Sequence, residues 1–356
     1  MNSFRITLPS LYCPIPAAIH PKAALLDERS AAWLARFPGI VDEAQCARLA
    51  RADIGRLAAR IAPCALDDQL QLWSDYLLWI FIYDDFVDEG VFRDRPAELA
   101  AATARLQRAA EEPNSSLHVQ DPYIASLRDI RVRLDNYATP AQVGRWLGKL
   151  RSSLLTAVWK AGNIARGLTP SLDEALTLRL HDGFIMTFPP LLDVFDGFEV
   201  PTIDMADRRV RALTEMAAIL AVWPSELVSY AKESHRAPDG HNIVDVIGHE
   251  YGCSMSNAIT HAITIRDRIL CQFLRIRESM LSTSAPEVRR YLIDLGHYIR
   301  GSLDWILDTP RYRYLNGING QPVHHAAGCT ETPSVDTSDP VPIPSISWWW
   351  QLTPPR

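Results

Sequence analysis

Four acidic residues lie within a stretch of six, at Asp84, Asp85, Asp88 and Glu89. On a helix, Asp84 and Asp88 lie one turn apart on the same face, and like charges at that spacing repel each other. A cation would offset the repulsion, and such oxygen ligands suit Mg²⁺, which takes one or two carboxylates together with waters and phosphate oxygens. The spacing therefore indicates a magnesium site; a solvated helix end capped by Gly90 is the alternative.

The residues that lead into these acids, Leu72 to Tyr83, are densely apolar and aromatic. A helix that is apolar nearly all round is expected to be buried. An aromatic-rich helix that ends in DDxxD/E resembles the metal-binding helix of the class I terpene synthases. The resemblance implies an all-α, single-domain fold, a helical bundle around a central active-site cavity. It also implies a magnesium-dependent reaction that ionises a linear prenyl diphosphate and cyclises the carbocation.

That family carries a second ligand set: Asn or Asp, then Ser or Thr four residues on, then Glu four further on. Two stretches compete for this role. Asn242 to Glu250 begins and ends correctly, but Val246 stands where a hydroxyl is needed. We favour Ser225, Ser229 and Glu233, whose spacing of four places them on one helix face. Ser225 is a departure from the family, and the proline before it is compatible with the first turn of a helix.

The residues Arg179, Asp182 and Gly183 resemble the family's sensor, linker and effector. By that resemblance Arg179 recognises the diphosphate and Gly183 lies at a helix break, where its carbonyl faces the developing cation. A glycine within an otherwise apolar helical stretch is a ready place for a kink. A helix C-terminus capped by Gly183 is the alternative.

Residues 303–312 resemble the family's closing WxxxTxRY motif. The likeness implies that Arg311 and Tyr312 donate hydrogen bonds to the diphosphate and that Trp305 presents its ring face to the carbocation. A lysine beside the second ligand set could meet a diphosphate oxygen as a point charge. The candidate substrate-binding residues are Lys232, Arg311, Tyr312, Phe81 and Phe184.

The family arrangement implies three Mg²⁺ ions, with Asp84 and Asp88 on one side and the second ligand set on the other. The expected substrate is farnesyl diphosphate and the expected product a sesquiterpene. A diterpene synthase that uses geranylgeranyl diphosphate and a catalytically impaired isoprenoid-binding protein are the alternatives. A chain-elongating prenyltransferase is disfavoured because the sequence has no second DDxxD cluster. A homodimer is a family expectation.

The elements that must position these residues follow a helical pattern from about residue 23 to 314, with apolar residues three and four apart. Breaks fall at Pro and Gly, as at Pro63, Gly90 and Gly167 to Pro170. Residues 1–22 are Pro-rich and are predicted to form an extended arm. Residues 315–356 are rich in Gly, Pro, Ser and Thr and are predicted to be mostly disordered. Trp348 to Trp350 is interpreted as a chance feature of that tail, with docking as the alternative.

The composition narrows the class of protein. A net charge of −6 gives no basic balance for a nucleic-acid partner. Six cysteines without a CxxC pair favour reduced thiols in a cytosol. The N-terminus lacks the pattern of a signal peptide, and apolar runs such as Leu77 to Tyr83 are too short to span a bilayer. We therefore expect a soluble cytoplasmic enzyme with a small-molecule substrate.

Overall fold

The computed structural model of the protein describes residues 6–352 except Leu117, Val119, Ala237 and 336–338. It is built mainly from α-helices, which confirms the predicted all-α fold. The helices are α1 (Ala23–Leu34), α2 (Glu43–Leu49), α3 (Ile54–Ile61), α4 (Asp67–Asp88), α5 (Pro96–Glu111), α6 (Pro122–Leu134), α7 (Pro140–Arg166), α8 (Leu172–Arg179), α9 (Pro189–Phe195), α10 (Thr202–Met205), α11 (Arg208–Arg236), α12 (Ile243–Tyr251), α13 (Met255–Leu281), α14 (Pro286–Asp308), α15 (Pro310–Arg313) and α16 (Pro344–Ser347). Two 3₁₀ helices span Asp182–Thr187 and Trp348–Leu352. The strands are β1 (Ile6–Leu8), β2 (Leu11–Tyr12), β3 (His324–Ala326) and β4 (Cys329–Thr330).

The chain divides into two compact units. The terminal unit comprises Met1–Ala17, Thr169–Leu180 and Val200–Arg356. The middle unit comprises Ala18–Leu168 and His181–Glu199. Each unit has a long apolar helix at its core.

Helix α4 forms the core of the middle unit and packs against α1, α3, α6 and α9. Its aromatic residues are buried, as the apolar pattern predicts. Tyr76, Trp79 and Tyr83 follow one face at helical spacing, with stacked rings whose centroids are 6.3 and 5.1 Å apart. The indole N–H of Trp146 donates to the Tyr76 hydroxyl at 3.0 Å, so this buried polar group has a partner. This packing fixes the orientation of α4 and therefore the position of the acidic residues at its C-terminal end.

Helix α7 is the second long element of the middle unit, and its ends have clear causes in the sequence. Thr139 and Gln142 form a capping box, and Pro140 occupies the first helical position. Gly167 adopts φ 63°, a left-handed conformation that ends the helix at low cost. The helix packs against α5, α9 and the 3₁₀ helix Asp182–Thr187. These contacts bring Lys160, near its C-terminal end, into the candidate site.

Helix α11 is the core of the terminal unit and packs against α13 and α14. It is long and apolar enough to resemble a membrane span, but 83% of its most apolar window is buried, which identifies it as a core helix. Pro224 does not lie in the first turn of its helix, because α11 begins at Arg208 and Pro224 lies inside it. Proline removes one backbone hydrogen bond. Packing on both sides of it, including a 3.1 Å bond from the Trp223 indole to the Ala262 carbonyl, holds the helix together.

The two ends of the described chain pair within the terminal unit. Strand β1 runs parallel to β3, and β2 runs parallel to β4. Beyond them, α16 packs against α8, and Val341, Ile343, Ile346 and Trp349 are buried. The predicted disordered tail is therefore wrong for the described residues of 315–352. Four of their apolar side chains are buried, and the backbone of β3 and β4 is paired with the N-terminal arm.

Candidate functional site

The middle unit gathers four aspartates around one lysine, which we call the acidic cluster. Asp84, Asp85 and Asp88 lie at the C-terminal end of α4. Asp182 is the first residue of the 3₁₀ helix Asp182–Thr187, which follows α8. The Lys160 ammonium donates to Asp88 Oδ2 at 2.7 Å and to Asp182 Oδ2 at 3.3 Å. The structure thus brings three of the predicted site residues, Asp84, Asp88 and Asp182, into one electrostatic group.

The acidic cluster carries more negative charge than its lysine offsets. Removal from water raises the pKa of Asp84 to about 8, and repulsion from Asp88 and Asp182 adds to the increase. The nearby Lys160 ammonium acts in the opposite direction and lowers that pKa. A site in which repelling carboxylates outweigh their counter-ion favours the binding of a further cation.

An aromatic group lies next to the acidic cluster on α4. Phe184 is buried, and its ring meets the edges of Trp79 and Tyr83 at centroid distances of 6.1 and 5.6 Å. Phe81 lies on α4 and is half-buried. Phe81 and Phe184 therefore both belong to the middle unit, with Phe184 held among other rings and Phe81 partly accessible.

The backbone breaks at the predicted effector residue. Gly183 has φ 63° and ψ 18°, and Phe184 has φ 59° and ψ 15°, so two consecutive residues are left-handed. Glycine adopts this conformation freely, but a residue with a side chain adopts it at a cost in free energy. The buried ring of Phe184 and the 2.7 Å bond from the Thr187 hydroxyl to the Phe184 carbonyl hold the strained turn in place.

In the terminal unit, Ser225, Ser229 and Glu233 follow one face of α11 at the predicted spacing. Ser225 and Ser229 are buried, and Glu233 is half-buried. The Ser225 hydroxyl donates to the Val222 carbonyl at 2.7 Å. A hydroxyl has one donor and two lone pairs, so this bond leaves its oxygen able to accept or to ligate. We call these three residues the α11 face.

Glu226 and Asn242 connect the α11 face to the predicted sensor. Arg179, at the end of α8, forms an ion pair with Glu226 at 2.5 Å. The Asn242 amide donates to Glu233 Oε2 and to the Glu226 carbonyl, both at 2.9 Å. The backbone N–H of Ile243 donates at 3.0 Å to Glu226 Oε2, whereas Arg179 pairs with Oε1 of the same carboxylate. This network orients both the sensor guanidinium and the Glu233 carboxylate.

The same network shows how the two stretches that compete for the second ligand set differ in position. Asn242 is the N-cap of α12 and accepts from the Val244 N–H at 2.9 Å, so it precedes the helix instead of sharing a face with its residues. Val246 is fully buried in that helix. The geometry therefore favours the α11 face and gives Asn242 a supporting role.

The closing motif forms a second polar group of the terminal unit. Thr309 ends α14 and caps α15, where Pro310 takes the first position. This corner directs Tyr312 against Trp305, with ring centroids 5.6 Å apart. The Lys232 ammonium lies 5.4 Å from the Tyr312 centroid, within cation–π range. Arg311 is half-buried on the same short helix.

The residues present fit magnesium better than a metal that needs a complete cage of protein ligands. Within the part of the chain that is described, no three His, Cys, Asp or Glu side chains are arranged as a metal site by themselves. Mg²⁺ commonly takes one or two carboxylates and completes its shell with water and substrate phosphates. The acidic cluster and the α11 face offer this kind of partial, all-oxygen set.

Sequence reasoning missed Lys160 and the linking roles of Glu226 and Asn242. Lys160 follows the apolar run Ala157 to Trp159, and a charged residue in such a run is a signal that it pairs with something buried. Glu226 directly follows Ser225 in the sequence. Its ion pair with Arg179 depends on how α8 packs, which the motif does not contain.

Comparison with known proteins gives a consistent result. Residues 75–272 match the family described as terpene synthase family 2, C-terminal metal binding. The chain is 36% identical to a (+)-(1(10)E,4E,6S,7R)-germacradien-6-ol synthase of Streptomyces pratensis, over 97% of both proteins. It is 34% identical to a (2E,6E)-farnesyl diphosphate-cyclizing (+)-T-muurolol synthase of Streptomyces clavuligerus, over 97% of this chain and 82% of that protein. Among solved structures, a variant of the SVS_A2 protein from ancestral sequence reconstruction has a TM-score of 0.86 and 34% identity, and covers 97% of this chain and 98% of that one.

Proposed function

Since the chain belongs to the class I terpene synthases, it is a terpene cyclase, and we propose that it converts farnesyl diphosphate to a cyclic sesquiterpene with release of diphosphate. The choice of substrate is supported by a relative, 82% of which this chain covers, whose name specifies (2E,6E)-farnesyl diphosphate. Geranylgeranyl diphosphate is the competing substrate. The small-molecule partner follows from the family, whereas a cytoplasmic location and a homodimer stay predictions.

The metal ions of the reaction are proposed to be three Mg²⁺. Asp84 and Asp88 would hold metal in the middle unit, and Ser225, Ser229 and Glu233 would hold it in the terminal unit. When bound, Mg²⁺ neutralises the charge that develops on the diphosphate as its bond to carbon breaks.

The cationic residues of the chain are proposed to bind the diphosphate. Arg179 is held by Glu226, so its guanidinium is oriented before substrate arrives. Lys232 and Arg311 supply further positive charge, and the Tyr312 hydroxyl supplies a donor. Such preorganised groups stabilise a leaving anion because they need no rearrangement during the reaction.

The prenyl chain is proposed to meet aromatic and backbone groups. Trp305 presents an electron-rich ring that stabilises a nearby carbocation, and Phe81 and Phe184 shape the apolar surface. Gly183 exposes backbone carbonyl at the helix break, and Asp182 links this break to Lys160 of the acidic cluster.

The observation that carries this proposal is the acidic cluster. Desolvation raises the pKa of Asp84, repulsion from neighbouring carboxylates adds to the increase, and the residue lies at the end of an aromatic helix. That combination is costly for the fold alone, because neighbouring like charges in a partly dehydrated site repel. It is suited to a protein that gains a divalent cation when it acts.

The test is incubation of the purified protein with Mg²⁺ and, separately, geranyl, farnesyl and geranylgeranyl diphosphate. We expect a volatile cyclic product and released diphosphate from farnesyl diphosphate. Product from geranylgeranyl diphosphate alone would reassign the substrate, a longer diphosphate would indicate elongation, and inert substrates throughout would indicate an impaired isoprenoid-binding protein.

Two aspartate variants test the metal assignment. Asp84→Asn should abolish most turnover, because the loss of a metal-binding carboxylate removes charge stabilisation worth several kcal/mol, about a hundredfold or more in rate. Asp94→Asn removes the same charge from an exposed position after α4 and should retain activity. Equal activity of the two variants would contradict the assignment of Asp84.

A further inference from the structure

Lys160 lies among the acids that are proposed to bind metal, although the metal-binding motif does not include it. Its ammonium donates to Asp88 at 2.7 Å and to Asp182 at 3.3 Å, and its side chain is only 12% exposed. The contacted Asp88 oxygen, Oδ2, belongs to one of the two carboxylates proposed to bind the metal. The ammonium of Lys160 therefore already contacts one of the carboxylates that are proposed to bind the metal.

The position of Lys160 is held by its helix and not by the acids alone. It lies near the end of α7, which packs directly on the 3₁₀ helix that begins at Asp182. Neighbouring Ala157 and Ala161 are buried, so this part of α7 packs against the rest of the unit. The ammonium thus stays close to the acidic cluster in the folded protein.

An ammonium and a divalent cation close to the same carboxylates oppose each other in two ways. Both draw on Asp88 as a partner, and their like charges repel at short distance in a partly dehydrated site. A lysine is a compact charge on a flexible stem, so it can release one carboxylate without a movement of the backbone. Metal binding at Asp84 and Asp88 must therefore displace the ammonium from Asp88 or tolerate its repulsion.

We propose that Lys160 is an internal counter-cation of the acidic cluster, which stabilises the metal-free enzyme and competes with the metal ion for Asp88. The proposal rests on the metal site of the proposed function. It implies that the protein alone binds metal weakly, and that the diphosphate oxygens of the substrate shift the competition toward the metal. Metal binding is thereby coupled to the presence of substrate.

The test measures Mn²⁺ binding to the substrate-free protein from the electron paramagnetic resonance signal of the free ion. Lys160→Met removes the charge and keeps the length, and should tighten Mn²⁺ binding about tenfold. Lys160→Gln keeps a donor without the charge and should tighten it similarly. The matched control is Lys22→Met, which removes an exposed lysine paired with Asp67 in the same unit and should bind as the wild type does.

Thermal unfolding of the same proteins supplies a second measurement. Without metal, Lys160→Met should unfold at a lower temperature than the wild type, because Asp88 and Asp182 lose their shared cation. Added Mg²⁺ should raise the unfolding temperature of this variant more than that of the wild type. Should Lys160→Met fail to fold, Lys160→Gln carries the same comparison.

Failure of this proposal differs from failure of the metal assignment. If Asp84→Asn loses Mn²⁺ affinity while both Lys160 variants bind as the wild type does, the metal site stands and the counter-cation is refuted. Weaker binding by the Lys160 variants would also refute it, since the lysine would then assist the metal. If Asp84→Asn binds Mn²⁺ like the wild type, the metal assignment is wrong and the counter-cation proposal falls with it.

Discussion

Ser225 places a hydroxyl where class I terpene synthases carry an amide or a carboxylate. Its reach is shorter than that of asparagine, but it is 7% exposed and fixed by its bond to the Val222 carbonyl. That bond consumes its proton and leaves the oxygen lone pairs for another partner. A fixed, buried oxygen loses little side-chain entropy when it binds an ion, which partly offsets the weaker ligand.

We predict that Ser225→Ala lowers kcat/KM for farnesyl diphosphate by about tenfold to a hundredfold, because one oxygen of the metal shell is lost. Ser225→Asn, which restores the family's ligand, should retain or increase the activity. Steady-state kinetics at several Mg²⁺ concentrations would measure both. Ser279→Ala is the matched control, since Ser279 makes the same 2.7 Å bond to the carbonyl three residues earlier on α13. A Ser225→Ala enzyme with wild-type kinetics would remove Ser225 from the ligand set.

His181 gives the middle unit a dependence on pH. Burial lowers its pKa from 6.5 to about 4, and Lys149 contributes in the same direction. Its Nδ1 is buried and has no hydrogen-bond partner among the described residues. Below pH 6.5 the unfolded chain takes up a proton at this histidine that the folded protein does not, so stability decreases as the pH falls toward 4.

We predict that His181→Gln reduces the loss of stability between pH 7 and about pH 4.5 by about 1–2 kcal/mol, a value discounted for the partial exposure of the ring. Thermal unfolding across that range would measure it as a shallower decline in unfolding temperature. His261→Gln, at an exposed position on α13, should leave the profile unchanged. Parallel profiles for wild type and His181→Gln would show that this ring is protonated equally in both states.

Single site residues could be predicted from sequence where the chemistry is local. Asp84 and Asp88 share a helix face by their spacing alone, and the structure has them at the end of α4 as expected. Lys160 could not be assigned in this way, because it comes from α7 and meets Asp88 only when two helices pack. Sequence spacing describes neighbours on one element, whereas the ion pair is a property of the tertiary structure.

At the scale of elements, the 3₁₀ helix Asp182–Thr187 has the most unusual backbone of the candidate site. Gly183 and Phe184 are both left-handed, and such residues cost of order 1 kcal/mol or more unless they are glycine. Packing of the Phe184 ring against Trp79 and Tyr83 offsets the strain. The break therefore depends on glycine at one position and on aromatic packing at the next.

We predict that Gly183→Ala destabilises the protein by about 1 kcal/mol or more, because a Cβ atom is disfavoured at φ 63°. It should also lower kcat, since the turn and the backbone carbonyl proposed to face the carbocation would shift. Gly148→Ala is the matched control: this glycine lies within α7, and an added Cβ would meet no atom within 4 Å. The control should be neutral or stabilise the helix by up to about 1 kcal/mol.

Urea unfolding and steady-state kinetics of the two variants would separate these effects. If Gly183→Ala is as stable and active as the Gly148→Ala control, the left-handed turn is not required. A loss of kcat with little loss of stability would place the effect on the carbonyl and not on the fold.

The element boundaries could be predicted largely from Pro and Gly. The predicted breaks at Pro63, Gly90 and Gly167 to Pro170 all lie between helices. Pro224, which is not among the predicted breaks, lies within α11. A proline costs a helix about 3 kcal/mol, and the buried residues on both sides of Pro224 can offset that amount. The local rule that a proline ends a helix fails where tertiary packing stabilises the helix by as much as the proline destabilises it.

At the scale of the molecule, the two ends of the chain stabilise the terminal unit. Strand pairs join the N-terminal arm to the segment after α15. Further along, the Ser345 N–H donates to Asp173 at 2.7 Å, near the start of α8. The Gln272 amide donates to the Trp349 carbonyl at 3.0 Å. The C-terminal segment therefore braces the helix that ends in Arg179.

This arrangement could not be predicted from composition. The segment is rich in Gly, Pro, Ser and Thr, and a segment of that composition is expected to stay disordered. Its stability instead depends on a few anchors, such as Ile346 and Trp349, which are both fully buried. A few well-placed side chains suffice when the rest of the segment forms backbone hydrogen bonds to a preformed surface.

We predict that Trp349→Ala destabilises the protein by about 3–5 kcal/mol, as expected for loss of a fully buried indole. Its ring is 0% exposed, and its N–H donates to Glu215 at 3.1 Å on α11. Trp348→Ala is the matched control, because the neighbouring indole is half-exposed and lies against Arg208, a contact worth about 1 kcal/mol or less. Thermal unfolding should show a large decrease for the first variant and a small one for the second. Equal small decreases would mean that the segment does not brace the fold, and that the tail is dispensable for the helix that carries Arg179.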